Sequence, residues 1–378
     1  MNRRMFLKTG SAAIVITSLT TSGIWLGTRT PSKALAPWHQ STQGYGDARL
    51  DALAYAILAP NPHNRQPWQV NLVNDDTIDI YCDLNKILPE TDPFNRQIVI
   101  GMGCFIELYR MAAANLGYQA IIESFPDGEP LPVLDNKRIA RITIKPDKVV
   151  KDPLFDYVFA RRSTKEAFDI ERPIADHLLA QLTHTESVSG TVQSKQVKSL
   201  NNTIYQGMKV EFETARTLKE SANLMRFGKA EVEANPDGID LTGVPMELMI
   251  KTGILTRADF ADPNSALTKD YLTRVKGKFN TSMGYTWITT ANNSRHQQLN
   301  AGRDYVRLNL QATQLGLAIQ PVSQTLQEYP EMAHLYQKLH AELDVETPAK
   351  LQMLARLGYC SAIAPSPRWP LASILINA

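Results

Sequence analysis

Cysteine is scarce in this 378-residue chain: Cys82, Cys104 and Cys360 stand far apart with no C-x-x-C pair. That excludes a zinc ribbon or a thioredoxin-like redox motif, and the spacing gives no reason to join any two of them. Thiols, or one disulfide with an odd thiol, both stay open. Also missing are an H-E-x-x-H helix, a G-x-S-x-G elbow, a Walker loop and a G-x-G-x-x-G fingerprint, which removes the commonest metal, acyl-transfer and nucleotide chemistries. The seven histidines are scattered, no metal site is expected, and His63 reads as an exposed loop residue rather than a catalytic one. Charge of one sign is missing too: 40 Lys and Arg against 38 Asp and Glu give a formal charge of +2, too balanced for a nucleic-acid binder. With 43% hydrophobic and 21% charged residues, the chain is globular, and its length suits one large domain or two ordinary ones.

What is present begins at the N terminus. Arg3 and Arg4 precede Met5-Phe6-Leu7-Lys8, and no charge follows until Arg29. The stretch between is apolar but diluted by Ser, Thr and Gly, a weak membrane span. It resembles a twin-arginine leader, which implies the twin-arginine export machinery as a partner and a periplasmic or cell-envelope location. Ala34-Leu35-Ala36 supplies a small-x-small cleavage site directly before Pro37. An uncleaved leader would instead be the only membrane contact. Removing residues 1–36 takes away five basic residues and no acid, leaving a formal charge of −3. Such export carries proteins already folded, which suits one that must acquire a cofactor in the cytoplasm.

Along the rest of the chain, Leu50, Leu53, Ala54, Ile57 and Leu58 fall at helical spacing up to Pro60. Val70 and Leu72, then Asn74-Asp75-Asp76, then Ile78 and Ile80 predict a hairpin. A Gly-containing apolar helix is expected from Ile98 to Leu116, a strand over Ala140–Ile144, and a short helix around Leu154–Val158. A second Gly-containing helix over Leu299–Leu317 precedes a strand at Ala318–Val322. Each long helix closes on A-x-x-L-G, at Ala113–Gly117 and at Ala312–Gly316, a weak internal repeat. Residues 235–285 are rich in Gly and Pro with little periodicity, which fits either a lid or a surface insertion without a role.

Three segments carry candidate chemistry: Pro60-Asn61-Pro62-His63-Asn64-Arg65-Gln66-Pro67-Trp68, Arg161-Arg162-Ser163-Thr164-Lys165, and Pro365-Ser366-Pro367-Arg368-Trp369-Pro370. Together they resemble the flavin-binding segments of the nitroreductase family, α+β oxidoreductases that hold FMN at a dimer interface. The family's R-x-S-x-[KR] matches Arg161, Ser163 and Lys165, its P-S-S-x-N-x-Q-P-W loop matches Pro60 through Trp68, and its final Arg-x-Pro matches Arg368 and Pro370. Asn61 and Pro62 depart, standing where the family has serines, and Pro62 offers neither hydroxyl nor backbone donor. The resemblance implies FMN as cofactor, with Arg161, Arg162, Ser163 and Arg368 toward its phosphate and ribityl end and Lys165 at the ring's pyrimidine edge. It also implies the loop residues Pro60, Asn61, Pro62, Asn64 and Gln66 as binding residues, and Pro321, Val322 and Ser323 near the reactive edge.

In the family each subunit contributes both the basic motif and the loop. Here the loop occurs only before residue 152 and the basic segment and terminal Arg only after it, so the chain is expected to be a fused pseudo-dimer with halves at 37–152 and 153–378, a single flavin site and no need to dimerise. The expected activity is two-electron transfer through FMN to a small organic acceptor, a nitroaromatic or quinone, from NAD(P)H or a periplasmic donor. No catalytic side chain is named, since the flavin does the chemistry. Alternatives are a protein that binds or sequesters flavin without turnover, and a structural relic of the fold that binds none.

Overall fold

A computed structural model describes residues 30–376; the leader residues 1–29 lie outside the described residues. The first helices are α1 (Ser32–Gln40) and α2 (Ala48–Ala56), followed by the hairpin β1 (Trp68–Leu72) and β2 (Thr77–Cys82), the long α3 (Arg96–Asn115), β3 (Tyr118–Ser124) and β4 (Ala140–Pro146). The chain continues through α4 (Asp176–Leu182), β5 (Val188–Thr191), α5 (Ser194–Glu213), α6 (Ala215–Asn223), β6 (Met225–Phe227), α7 (Gly228–Ala234) and β7 (Ile239–Leu241). Then come α8 (Val244–Lys251), α9 (Arg257–Ala261), α10 (Ala266–Phe279), β8 (Gly284–Thr290), α11 (Arg295–Gln314), β9 (Ala318–Pro321), α12 (Ala333–Glu342), β10 (Lys350–Gly358) and β11 (Leu375–Ile376). The architecture is α+β, with the helix expected around Leu154 reduced to a turn over Pro153–Tyr157.

Two sheets share one topology. The first runs β11-β1-β2-β4-β3 and the second β5-β8-β10-β9; without the terminal β11, β1, β2, β4 and β3 correspond in order to β5, β8, β10 and β9, every neighbouring pair antiparallel. Each sheet has its 20-residue helix, α3 or α11, between its second and third strands in sequence. These two helices pack against each other at the centre. Along these helices equivalent positions differ by 199: Arg96 and Arg295, Gly103 and Gly302, Gly117 and Gly316. The A-x-x-L-G repeat is thus a helix stop, its glycine at φ +84° in one half and +70° in the other, where a Cβ would be strained.

The halves also contact each other reciprocally, as an isologous pair must. Arg96 Nε donates to Glu328 at 3.1 Å and its terminal nitrogens to the Leu326 and Gln352 carbonyls. Arg295, the equivalent residue, has its backbone N–H on Glu129, 199 positions before Glu328, at 2.7 Å, and its guanidinium on the Pro130 and Pro132 carbonyls. Two related halves in one chain therefore form a pseudo-dimer. Its axis passes where Gly103 meets Gly302, and the Cys104 thiol donates to the Gly302 carbonyl at 3.1 Å.

The halves differ in what is added. A turn over residues 73–76 joins β1 to β2, whereas α5 through α10, with the two-stranded β6-β7 sheet, are inserted between β5 and β8. The 235–285 stretch, aperiodic in sequence, contributes β7, α8, α9 and α10. Its breakers sit at element boundaries: Gly243 caps α8, Pro245 lies in its first turn, and Gly253 follows its end. Short helices so punctuated give no sustained period to read. All three cysteines are free thiols. Of the described helices, α3 alone is long and apolar enough to span a membrane, and it is buried in the core.

A Cβ at Gly302 would lie 1.9 Å from the Ile100 carbonyl oxygen, so Gly302→Ala must spread the central helices. Urea unfolding should show a loss at or above the upper end of the usual overpacking cost, about 3 kcal/mol. Gly277→Ala, where a Cβ meets nothing within 4 Å, should instead gain up to about 1 kcal/mol from helix propensity. Equal stabilities would disprove the close crossing.

Candidate functional site

The site is built on the end of α2. Asp47 starts that helix by accepting from the Arg49 N–H at 2.9 Å, and its apolar face, Ala52, Leu53 and Ala56, is fully buried. Beyond its last turn the Leu58 and Ala59 carbonyls have no helical partner, as carbonyls at a helix C terminus do not. Two arginines from the other half supply donors. Arg161 Nη2 donates to the Leu58 oxygen at 3.1 Å, and Arg368 Nη2 to the same oxygen at 3.0 Å and to Ala59 at 3.2 Å. Arg368 Nη1 adds bonds to Asn64 Oδ1 at 2.8 Å, the Pro367 carbonyl at 2.8 Å and Ser366 Oγ at 2.6 Å.

Both guanidinium groups are buried, 3% and 1% exposed, and the Nε–H of each has no partner. With half-buried Arg162 they make a three-cation cluster in which no member pairs with a carboxylate among the described residues. Burial pulls Arg161 down to about 10. Burial first, then Arg161 and Arg162, holds Arg368 well below the ordinary arginine range. The contrast lies in a cavity of about 930 Å³, where Arg110, Arg303 and Arg307 all pair with buried Glu107 and Asp152 adds further partners. There the arginines are neutralised; this cluster is held by carbonyls and left charged. Buried, unpaired guanidinium groups with free N–H donors fit an anion such as a phosphate monoester.

The loop over residues 60–68 is bent by three non-glycine residues in the left-handed region, His63, Asn64 and Gln66, at φ +47°, +52° and +51°, each costing about 1 kcal/mol or more. Pro62 opens a short 3₁₀ turn over Pro62–Asn64, a first position that needs no N–H, which gives this departure from the family pattern a structural reason. Gly101 on α3 lets Asn61 and Pro62 come close. Asn61 Oδ1 accepts the Gln66 N–H at 2.7 Å, and Asn64 Nδ2 donates to the Pro367 carbonyl at 3.0 Å. Gln66 is fully buried, its amide donating to the Pro236 carbonyl at 2.7 Å and accepting from the Trp369 N–H at 2.9 Å. The side chains of Asn61, Asn64 and Gln66 therefore hold the loop's shape and its joints to the tail and the insertion.

The Thr164 N–H donates to the Ile319 carbonyl at 3.0 Å, which draws Ser163, Thr164 and Lys165 to β9, whose last residue is Pro321 and which runs on into Val322 and Ser323. The Val322 N–H is spent on the Leu354 carbonyl at 2.8 Å. Lys165 keeps exposed surface and lies beside His63 of the loop. Burial lowers its basicity, partly offset by nearby Asp240 of β7. Arg162 faces the tail, donating to the Ile363 carbonyl at 3.1 Å. Arg161, Arg162, Ser163, Lys165, Arg368 and the loop thus come together from both halves.

Several participants gave no sequence signal. The Leu58 and Ala59 carbonyls are backbone atoms. Tyr305 of α11 lies buried beside Arg161, and its hydroxyl faces Ser163 and buried Asn309 without closing a hydrogen bond. Trp38 of α1 lies 5.1 Å from the Arg162 guanidinium and 5.4 Å from that of Arg368. No cluster of potential metal ligands occurs among the described residues.

No family model matches the chain. The likeness is to nitroreductase-like proteins. Mycobacterium tuberculosis acg, provisionally named an NAD(P)H nitroreductase, is 26% identical over 328 residues, 85% of this chain and 92% of its own. A second protein of that organism with the same provisional name is 25% identical over 336 residues, 85% of this chain and 89% of its own. Among solved structures, the FMN-dependent nitroreductase NfnB of Mycobacterium smegmatis, in complex with NADPH, aligns with a TM-score of 0.33 at 16% identity, covering 58% of this chain and 96% of its own.

His63, beside Lys165 and Arg65, is held neutral by burial and by these two cations, its pKa pushed down to about 4. An unfolded histidine takes up its proton near pH 6.5, so His63 subtracts stability as pH falls from about 6.5 toward 4. The urea midpoint of His63→Asn should therefore decline less than that of the parent between pH 7 and pH 4.5. Parallel declines would mean that the ring is free to protonate in the folded loop.

Proposed function

We propose that this protein is an FMN-dependent oxidoreductase of nitroreductase type with one flavin site per chain. The observation that carries the reading is the cluster of buried Arg161 and Arg368 with half-buried Arg162, without a carboxylate partner among the described residues, beside a loop from the other half. Such a cluster suits the phosphate of FMN, and its position at the pseudo-dimer joint suits a cofactor bound between halves. Arg161 and Arg368 would bind and orient the phosphate, with Ser163 as a hydroxyl donor. Lys165 would place its charge at the pyrimidine edge of the ring. Bound there, FMN would supply the redox chemistry, taking two electrons from a donor such as NAD(P)H and passing them to a small organic acceptor, a nitroaromatic or a quinone.

The asymmetry of the halves supports one site rather than two. At the position equivalent to Gly101, where the loop approaches α3, the second half carries Asn300, and Arg303 and Arg307 nearby are neutralised by Glu107 and Asp152. A second reading, flavin held without turnover, draws on the insertion's direct bonds to the loop, from Gln66 to Pro236 and from the Gly238 N–H to the Asn64 carbonyl. Export by the twin-arginine pathway remains part of the proposal, resting on the Arg3-Arg4 leader alone.

The purified protein should be yellow, with one FMN per chain, bleached anaerobically by NADH or NADPH and reoxidised by a nitroaromatic or quinone. Yellow protein inert to both arms would favour the second reading, and colourless protein unable to take up FMN would end both. Arg368→Ala should weaken FMN roughly 10- to 100-fold, the worth of charge-assisted hydrogen bonds, and leave riboflavin affinity nearly unchanged; equal losses for the two ligands would remove the phosphate assignment. Lys165→Met should keep FMN bound and lower its midpoint potential, and an unmoved potential would place Lys165 away from the ring.

A further inference from the structure

The sequence places a maturation cut after Ala36, yet Ala34, Leu35 and Ala36 lie inside α1. Ala34, Pro37, Trp38 and Ser41 recur at the spacing of one helix face and are all buried. The Arg368 N–H donates to the Ala34 carbonyl at 2.8 Å, and the Trp38 indole N–H to the Ser366 carbonyl at 2.8 Å. The Lys33 N–H reaches Glu233 of α7 at 3.3 Å. So α1 is clasped between the tail that presents Arg368 and the insertion, with the Trp38 ring beside both Arg162 and Arg368.

Little else would make these residues helical. The helix has nine residues, no side-chain N-cap and a proline inside it, so its order comes from packing rather than propensity. A cut after Ala36 would remove the Ala34 carbonyl from the Arg368 N–H and leave Trp38 on a stub of four helical residues. Export of a folded protein would also present the cleavage site as a packed helix, whereas peptidases cut extended backbone.

We infer that α1 belongs to the functional protein, that no maturation cut falls within residues 32–40, and that Trp38 is a positioning residue for the arginine cluster. The first two statements depend on the leader reading and the third on the proposed anion site, so each has its own measurement. The full chain is produced in a bacterium competent for twin-arginine export, and the protein is isolated and submitted to intact-mass measurement and N-terminal sequencing. The expected N terminus lies before Ser32, and one at Pro37 or within α1 overturns the inference.

For Trp38, the full-length Trp38→Leu variant is titrated with FMN and with riboflavin. Loss of the ring beside two guanidinium groups should weaken FMN roughly five- to tenfold, leave riboflavin within twofold, and be largely rescued by Trp38→Phe, which keeps a ring face. Unchanged FMN affinity, or equal losses for FMN and riboflavin, overturns the positioning role. Parent protein that binds neither ligand would instead sink the flavin reading, while the N-terminal measurement still decides the cut.

Discussion

Two guanidinium groups from the second half meet at a single carbonyl of the first. The Leu58 oxygen, just past the end of α2, accepts from both Arg161 and Arg368, and this shared acceptor fixes the geometry of the site. Burying a cation without a counter-ion costs several kcal/mol, and carbonyls at the negative end of a helix offset only part of that. The remainder is a standing demand for negative charge in one place. Around buried Glu107 the same chain pairs its arginines with carboxylates, whereas among the described residues none stands beside Leu58.

The loop next to it depends on the same residues. Left-handed His63, Asn64 and Gln66 would relax in isolation. Asn64 is tied to Arg368 and Pro367, and Gln66 to Trp369 and Pro236, so the bends persist because the tail and the insertion over-determine them. Arg65 joins this arrangement through an ion pair with Asp237, which also pairs with Arg226 at 2.7 Å. The arginine cluster, the strained loop and the first strand of the insertion therefore form one mechanical unit, and a disturbance of the tail reaches all three.

Elements with their own local period were legible in the sequence: α2 from Leu50, Leu53 and Ile57, the β1–β2 hairpin from its alternation, and α3 and α11 from their apolar stripes and terminal glycines. The insertion was not, because its short helices end before a period can establish itself. Helix α1 was hidden for a different reason, since Ala34 and Ala36 satisfy a peptidase motif while Ala34, Pro37, Trp38 and Ser41 satisfy a helix face, and only tertiary contacts separate the two. Basic and polar site residues could be named through the family resemblance of their three segments, but not their partners. Asn61 and Gln66 look like ligand contacts in sequence and bond each other in space. The Leu58 carbonyl leaves no trace in sequence, because any residue carries one.

The distribution of symmetry through the molecule has a physical logic. The joint between the halves must be satisfied from both sides, since each long helix begins with a buried arginine that would otherwise be unpaired; Arg96 on Glu328 and the Leu326 and Gln352 carbonyls, and Arg295 on the Pro130 and Pro132 carbonyls, accordingly keep their equivalence across 199 positions. Gly103 and Gly302 are bound by the same necessity, because neither helix can approach unless both lack a Cβ there. The site has no such constraint. In two separate identical chains, any change to it would be made twice; in one continuous chain, one copy can fill with ion pairs and the opposite hairpin can accept the insertion of α5 through α10 while the other copy is left intact. Fusion thus separates what the interface demands from what the site demands, which is why the helical joint is symmetric and the surroundings of Arg161 and Arg368 are not.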